Sequence, residues 1–320
     1  PMHAADGRAV IVFNGEIYNF RALRAELEQA GFTFRTNGDT EVILAAYQRW
    51  GTGCVDHLRG MYAFAIWDPA RKVLFAARDN LGIKPFYYSV VDDRLIFASE
   101  IKAILPFLPE TKVCKDGIAE YLTYQFNVGA QTMFEGVHAL PPGHVLTVDE
   151  GRIKTYAHWD VQYRIDTDHS KSYFYSKLQD IVDRSVRIHL RSDVPVGCYL
   201  SGGVDSSLIS LLSTQHDSSN KHSFHGKFTQ FPGYDESGYA QAVAEQSSKS
   251  LHQIDITEDD VLGSLEDITY YLDQPTAGPG SIPQYLVSKL AAQHVKVVLG
   301  GQGGDEIFGG YARYLVAYFE

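Results

Sequence analysis

The stretch Val194-Pro195-Val196-Gly197-Cys198-Tyr199-Leu200 runs directly into Ser201-Gly202-Gly203-Val204-Asp205-Ser206-Ser207 and then into Leu208-Ile209-Ser210-Leu211-Leu212. An apolar strand meets a glycine pair, and the pair opens an apolar helix. In that order the three signals make an anion cradle. Adjacent glycines let backbone N–H groups turn inward, and the helix N-terminus adds partial positive charge. Ser201, Ser206 and Ser207 add hydroxyl donors. Asp205 is the informative member, because a carboxylate beside a phosphate site calls for a divalent cation between them. The loop has neither the lysine of G-x-x-x-x-G-K-(S/T) nor the spacing of G-x-G-x-x-G, which disfavours the common nucleotide and dinucleotide loops. A plain glycine turn ahead of a serine-capped helix is the simpler alternative, weakened by the strand and helix on either side.

Outward from this loop the pattern continues. A helix through Leu178, Ile181, Val182 and Ile188 comes first. Strands at Val194 to Leu200, Ser223 to Phe228, Leu251 to Ile256 and Lys296 to Leu299 then alternate with helices starting near Asp205, Glu236, Glu258 and Ile282. This predicts an α/β doubly wound parallel sheet, with ligands at the C-terminal ends of its strands. A second acidic segment, Gly300-Gly301-Gln302-Gly303-Gly304-Asp305-Glu306-Ile307-Phe308-Gly309-Gly310-Tyr311, follows the last strand. It is expected at the same sheet edge as Asp205, where Asp305 would share the metal; a glycine hinge with solvated acids is the alternative.

The first half reads differently. Strand-like runs at Met61 to Trp67, Lys72 to Ala76, Pro85 to Val91 and Arg94 to Ala98 are separated by short turns such as Asp68-Pro69 and Asp92-Asp93, which predicts antiparallel pairing. Two helices are expected: one capped by Asn19, carrying Leu23 and Leu27 and closing at Gly31, and one over Glu41 to Trp50. The result is an α+β layered domain. The Pro141-Pro142-Gly143 turn and the polar stretch from Gln162 to Ser172 place a boundary near 165, giving domains 1–165 and 166–320.

Composition narrows the function. Length and a 45% hydrophobic content suit two globular domains, and 28 Lys and Arg against 39 Asp and Glu leave a net charge of −11 that repels nucleic acid. Three widely spaced cysteines argue against a disulfide framework or a zinc site, and a reducing cytoplasm fits them. The longest apolar runs, Val10 to Phe13 and Val295 to Leu299, fall far short of the roughly 18 residues of a membrane span. A cytoplasmic, soluble protein is therefore expected.

Ser201-Gly202-Gly203-Val204-Asp205-Ser206 resembles the pyrophosphate loop of the ATP pyrophosphatases, and together with the Gly300 to Tyr311 segment it resembles the synthetase domain of the glutamine-hydrolysing asparagine synthetases. Phe13-Asn14-Gly15-Glu16-Ile17-Tyr18-Asn19 and Gly38-Asp39-Thr40-Glu41-Val42-Ile43 resemble class II glutamine amidotransferase motifs, and Arg78 to Tyr88, Phe97 to Lys102 and Leu140 to His144 match in the family's order. The resemblance implies an αββα Ntn-type domain followed by an adenine nucleotide alpha hydrolase-like domain. It implies a ligase that takes ammonia from glutamine and makes an amide from L-aspartate through an acyl-adenylate, releasing AMP and pyrophosphate.

By the same likeness Asn14 and Gly15 would supply the glutaminase oxyanion hole, although Asn-Gly alone reads more readily as a hairpin turn. Asn14, Gly15, Glu16 and Asp39 would bind glutamine. Ser201, Gly202, Gly203, Asp205, Ser206 and Ser207 would hold pyrophosphate, with Leu200, Gly226, Gly300 and Gly301 near the adenosine. Gln302 and Asp305 would face the acceptor, as would Ser281 or Gln284, and Asp205 and Asp305 would hold Mg2+. The partners implied are glutamine or ammonia, L-aspartate or a related acid, and ATP, with no nucleic acid and no membrane; a homodimer is left open. Arg78 and Asp79 are expected to form a partly buried ion pair fixing strand ends.

Three departures matter. Glutaminase domains of this class begin with a cysteine and carry an RHRGPD segment, whereas residue 1 here is proline, no cysteine precedes Cys54, and Arg8 lies too close to Asn14 to be that arginine. Cys54 itself reads as a small buried residue. Lys289 and Lys296 match no position of the family's C-terminal lysine region, so a fragment truncated at both ends, without glutaminase activity, is expected. Gln302 stands where many relatives have a glutamate tied to the acceptor step. Glutamine can neither act as a base nor carry charge, which leaves room for an amidotransferase acting on another carboxylate in cell-envelope or secondary metabolism. A nucleotide-binding module without turnover is the alternative from a different class.

Overall fold

The computed structural model describes every residue except 5, 231, 232, 276, 277, 279 and 320. The chain divides into two compact units, Pro1–Ile165 with Leu272–Ala277, and Asp166–Tyr271 with Gly278–Glu320.

The first unit contains β1 (Met2–His3), β2 (Val10–Ile17), α1 (Phe20–Gln29), α2 (Thr40–Trp50), β3 (Gly60–Asp68), β4 (Val73–Arg78), β5 (Tyr87–Val91), β6 (Arg94–Ala98), α3 (Lys115–Tyr124), β7 (His138–Ala139), β8 (His144–Asp149) and β9 (Arg152–Ala157). Six strands form one sheet in the order β1-β2-β3-β4-β8-β9, every neighbour antiparallel, and β6-β5-β7 form a second. Strand alternation gives the large sheet two apolar faces. Ile11, Phe64, Ile66 and Phe75 pack against Leu23 and Leu27 of α1 and Val42 to Ala46 of α2. Ala63, Ala65, Ala76 and Leu146 face Phe86, Leu95 and Phe97 of the small sheet region. Ile101, Ile104 and Val137 then cover that sheet's far side with Tyr87 and Ile96, completing an α-β-β-α layering whose last layer consists of short helical turns at Ile101–Ala103 and Leu105–Phe107. The segment after residue 271 belongs here through Asp273, which accepts the N–H groups of Ile101 and Lys102 and pairs with Lys102 Nζ at 2.8 Å.

Three local expectations are corrected. Asn19 precedes α1 but does not cap it; its side chain bridges His57 O and Arg59 N, both at 2.9 Å. The expected strand from Pro85 begins at Tyr87, as proline has no N–H for a ladder. Arg78 and Asp79 do not pair with each other. Successive strand residues point to opposite faces, so each satisfies itself on backbone: Arg78 donates to the carbonyls of Lys84, Gly82 and Leu140, and Asp79 accepts four N–H groups.

The second unit contains α4 (Lys171–His189), β10 (Val196–Tyr199), α5 (Val204–His216), β11 (His222–Lys227), α6 (Ser237–Gln246), β12 (Ser250–Asp255), α7 (Glu258–Leu272), α8 (Ser281–Ala291), β13 (Val297–Leu299), α9 (Gly304–Phe308) and α10 (Ala312–Phe319). Its four strands are all parallel in the order β12-β11-β10-β13. Phe224, Val287, Ala291 and Val295 fill the space under α8, while Leu200, Ala240 and Ala244 seat α6 on the other face. The strand expected from Val194 begins at Val196, again because Pro195 cannot donate.

Among the described residues no helix is long and apolar enough to cross a membrane. The three cysteines are free.

Candidate functional site

At the C-terminal edge of the parallel sheet lies a cavity of about 660 Å³. The ends of β10 and β11 supply Tyr199, Leu200, Phe224, His225 and Gly226 to its wall, the loop before α5 supplies Ser201 and Gly203, and α5 itself begins with Val204, Asp205 and Ser206. The loop after β13 brings Gly301 and Gln302, and the first turn of α9 brings Asp305 and Glu306. The two glycine-rich segments interlock. A Cβ on Gly301 would stand 2.8 Å from Ser206 N, and one on Gly304 would overlap the Asp205 carboxylate. Only glycine lets the second segment lie on the first turn of α5.

The serines divide by role. Ser206 Oγ donates to Gly203 O at 3.1 Å and accepts from Ser201 N at 3.2 Å, with Ser201 Oγ 2.9 Å away, so Ser206 closes the loop. Ser207 is off the cavity wall, its Oγ buried without a hydrogen bond. Gly202 is also off the wall; at φ +94° a Cβ there would press on Glu236 O and Tyr239 of α6 at 3.0 Å. Gly300 lies behind Gln302 and outside the wall. The remaining candidates, Leu200, Ser201, Gly203, Asp205, Ser206, Gly226, Gly301, Gln302 and Asp305, all line the one cavity, as does Gln284, while Ser281 does not.

The charge on this wall is one-sided. Asp205, Glu236, Asp305 and Glu306 line it, with no lysine or arginine among the described lining residues. Tyr311 Oη donates to Glu306 at 2.8 Å, and that bond leads the causes holding the Glu306 carboxyl below its ordinary range. Among the described residues no hydrogen bond or ion pair engages the carboxylate of Asp205 or Asp305. Opposing these charges, the first-turn N–H groups of α5 have no intrahelical partner and point their dipoles at the cavity.

Sequence reading did not single out Tyr199, Phe224, Phe228, His225 or Glu236, all on the wall. Phe224 is the one apolar side chain of β11, and that was the available signal for it. His225 is buried, with Nδ1 2.8 Å from Leu200 O, and burial holds it below the ordinary histidine range against the pull of that carbonyl, Asp235 and Glu236.

In the first unit, Asn14 and Gly15 sit inside β2, opposite Ala63 and Tyr62, and form no hairpin turn. A Cβ on Gly15 would overlap Met61 O, which explains the glycine. Asn14 and Glu16 share the exposed face of β2. Asp39 is held at the end of the same strand, where its Oδ2 accepts Ile17 N–H at 2.9 Å. Burial, then Glu16, pushes the Tyr18 hydroxyl up to about 12. Cys54 is fully buried and its thiol is raised to about 12, an inert environment for a nucleophile.

Comparison with known proteins follows the same division. Residues 1–159 match the family model described as a glutamine amidotransferase domain, and residues 177–320 the one described as asparagine synthase. Asparagine synthetase [glutamine-hydrolyzing] 1 of Bacillus subtilis is 36% identical over 322 residues, covering 98% of this chain and 49% of that protein. A putative asparagine synthetase [glutamine-hydrolyzing] 2 of Methanocaldococcus jannaschii is 34% identical, covering 97% and 60%. Amidase chry2 of Gibberella zeae is 34% identical, covering 98% and 49%. The chain thus spans about half the length of the curated relatives it matches.

Proposed function

The chain belongs to the glutamine-hydrolysing asparagine synthetase family, and from that premise we propose that it forms the amidotransferase unit and ATP-binding unit of a glutamine-dependent ligase that amidates a side-chain carboxylate, that of L-aspartate in the first instance. The observation that carries the proposal is the cavity of the second unit. Its wall holds four carboxylates and no cationic side chain, yet the helix N-terminus and glycine loop beside them form an anion cradle. A polyphosphate can enter such a site only as a metal complex, because neither set of negative charges is tolerated unpaired. The unpartnered Asp205 and Asp305 offer hard oxygen donors of the kind Mg2+ takes. Magnesium, when bound, would screen the phosphates and draw electron density from the bond that breaks between the α- and β-phosphates.

The chain's own groups have separable tasks. N–H groups at the start of α5, with Ser201, hold the pyrophosphate; Ser206 keeps the loop closed. Phe228 and Tyr199, half-buried on the wall above the core residue Phe224, offer apolar surface to the nucleoside near Leu200, Gly226 and Gly301. Gln302 and Gln284, 3.3 Å apart between Nε2 and Oε1, present amides to the acceptor acid. In the first unit Asn14 and Gly15 are assigned to the oxyanion, and Glu16 and Asp39 to the glutamine ammonium. We place the protein in the cytoplasm and leave the homodimer as its assembly to be measured.

Isothermal calorimetry with Mg-ATP tests the nucleotide site: micromolar binding that disappears on chelation of the metal and in Asp205→Ala is expected. A folded chain that ignores Mg-ATP refutes it. A second reading is favoured by one observation. The neutral Gln302–Gln284 pair in the cavity is equally suited to a carboxylate other than L-aspartate's, and substrate-dependent exchange of pyrophosphate into ATP across a panel of acids separates the two.

A further inference from the structure

The parallel sheet has an opposite edge that the nucleotide cavity does not use. His222 opens β11, His252 lies on β12, and His294 follows the end of α8. Their ligating nitrogens all lie within 4.8 Å of one another. Topology gathers residues that sequence keeps far apart. Phe224 stands opposite His252 in the β11–β12 register, and His222 shares the Phe224 face because side chains alternate along a strand. Helix α8 packs Val287 and Ala291 against Phe224, and the turn that ends it, His294 N–H to Ala291 O at 2.9 Å, brings the third imidazole to the other two.

The geometry is that of a ligand set. His222 Nδ1 and His252 Nε2 stand 3.0 Å apart, and the rings of His252 and His294 are 3.9 Å apart at their centroids. Nitrogens bound at about 2.0–2.1 Å around a tetrahedral ion stand about 3.4 Å from each other, so small rotations bring these into place. Phe224 backs the group, its centroid 5.3 Å from His252 and 5.9 Å from His294, and His294 is open to solvent on the other side.

We infer that His222, His252 and His294 form a site for a divalent transition-metal ion, zinc in the first instance, at the N-terminal edge of the sheet. Imidazole nitrogens select zinc, nickel or copper over magnesium, which prefers the oxygen donors at the other edge. The neutral imidazole is the ligating form, each ring keeping its one proton on the nitrogen that faces away from the ion, so binding weakens as pH falls. Three protein ligands leave a fourth position for water or a small anion. An ion there ties β11, β12 and the end of α8 together and stabilises the second unit by mass action. The inference does not depend on the ATP reading.

The test is calorimetric titration of Zn2+ into tag-free, chelator-stripped protein, with Co2+ absorption as a second readout. One equivalent bound with a Kd below about 10 μM, and a tetrahedral cobalt spectrum without a thiolate band, are expected. His252→Ala and His294→Ala each weaken binding at least about tenfold, since a three-ligand site loses a third of its donors. His294 is exposed, so its replacement leaves the fold intact, as circular dichroism checks. Asp205→Ala binds zinc as the parent does. Absence of stoichiometric binding by the folded parent, unchanged affinity in either histidine variant, or a thiolate-to-cobalt band each overturns the site.

Discussion

Asp79 in the first unit and Asp205 in the second are both aspartates placed by glycine-containing turns at the ends of β-strands, and they live in opposite circumstances. Asp79 is buried and accepts four backbone N–H groups, from Tyr62, Leu81, Ile83 and Lys84, at 2.9–3.2 Å. Asp205 faces a cavity and accepts none among the described residues. A carboxylate surrounded by inward-turned amides is part of the architecture, because its removal orphans every donor. One left without partners beside other carboxylates costs the fold free energy through repulsion, and is retained where an external cation completes it. Partner count, more than residue type or burial, separates scaffold from site in this chain.

The largest effect this contrast predicts is on the scaffold side. Asp79→Ala strands three amides in the turn around Gly82 and a fourth, that of Tyr62, on β3, and loss of about 3–5 kcal/mol is expected in denaturant unfolding of the first unit. A loss below about 1 kcal/mol would break the comparison, since surface-type replacements give that much.

The converse belongs to Asp205→Ala. With no partner to lose, unfolding stability should stay within about 0.5 kcal/mol of the parent, while Mg-ATP affinity falls at least about 30-fold, roughly 2 kcal/mol. Paired thermal melts and calorimetry on the same preparation read both numbers. Asp305→Ala sharpens the result: an equal loss assigns both carboxylates to one ion, and retention assigns the ion to Asp205 alone.

Glu41 extends the scaffold class to pH. Burial raises its carboxyl, but the N–H groups of Arg35 and Thr36, the Thr36 hydroxyl and the Arg35 charge outweigh that and bring the group below its ordinary 4.5. A carboxyl depressed in the folded state adds stability that is complete above the unfolded value and disappears as pH falls through the folded one. Stability of the first unit should therefore drop below about pH 4.5, and Glu41→Gln should flatten that limb of the curve while lowering the plateau. Parallel pH profiles that keep the same slope would remove Glu41 from the account.

What the sequence disclosed follows from what is local. The β10–loop–α5 unit was legible because strand, glycine pair and helix are contiguous, and the parallel order followed from alternation of the two periods. Pairing partners were not legible where they depend on who arrives from elsewhere. Asn19 is attached to His57 and Arg59 instead of capping its helix, and Arg78 reaches Leu140, 62 residues away. The histidine cluster escaped for the same reason: metal motifs are recognised by short spacings, and His222, His252 and His294 share an edge only after two strands and a helix have packed. The gathering of four carboxylates on one cavity wall was equally hidden, because a net charge of −11 says nothing about which acids face one another.

The smallest predicted effect lies at Gln302. Its Nε2 donates to Gln284 Oε1 at 3.3 Å, so Gln302→Glu replaces a donor with an acceptor and sets two oxygens against each other in a wall that already carries four carboxylates. Added repulsion across a partly solvated cavity of this size is worth about 0.5–1 kcal/mol, a two- to fivefold weakening of Mg-ATP binding. If Gln302→Glu instead left Mg-ATP affinity untouched and shifted which acid drives pyrophosphate exchange, residue 302 would belong to acceptor selection and not to the phosphate charge balance. The neutral pair with Gln284 would then be what selects this chain's preferred carboxylate.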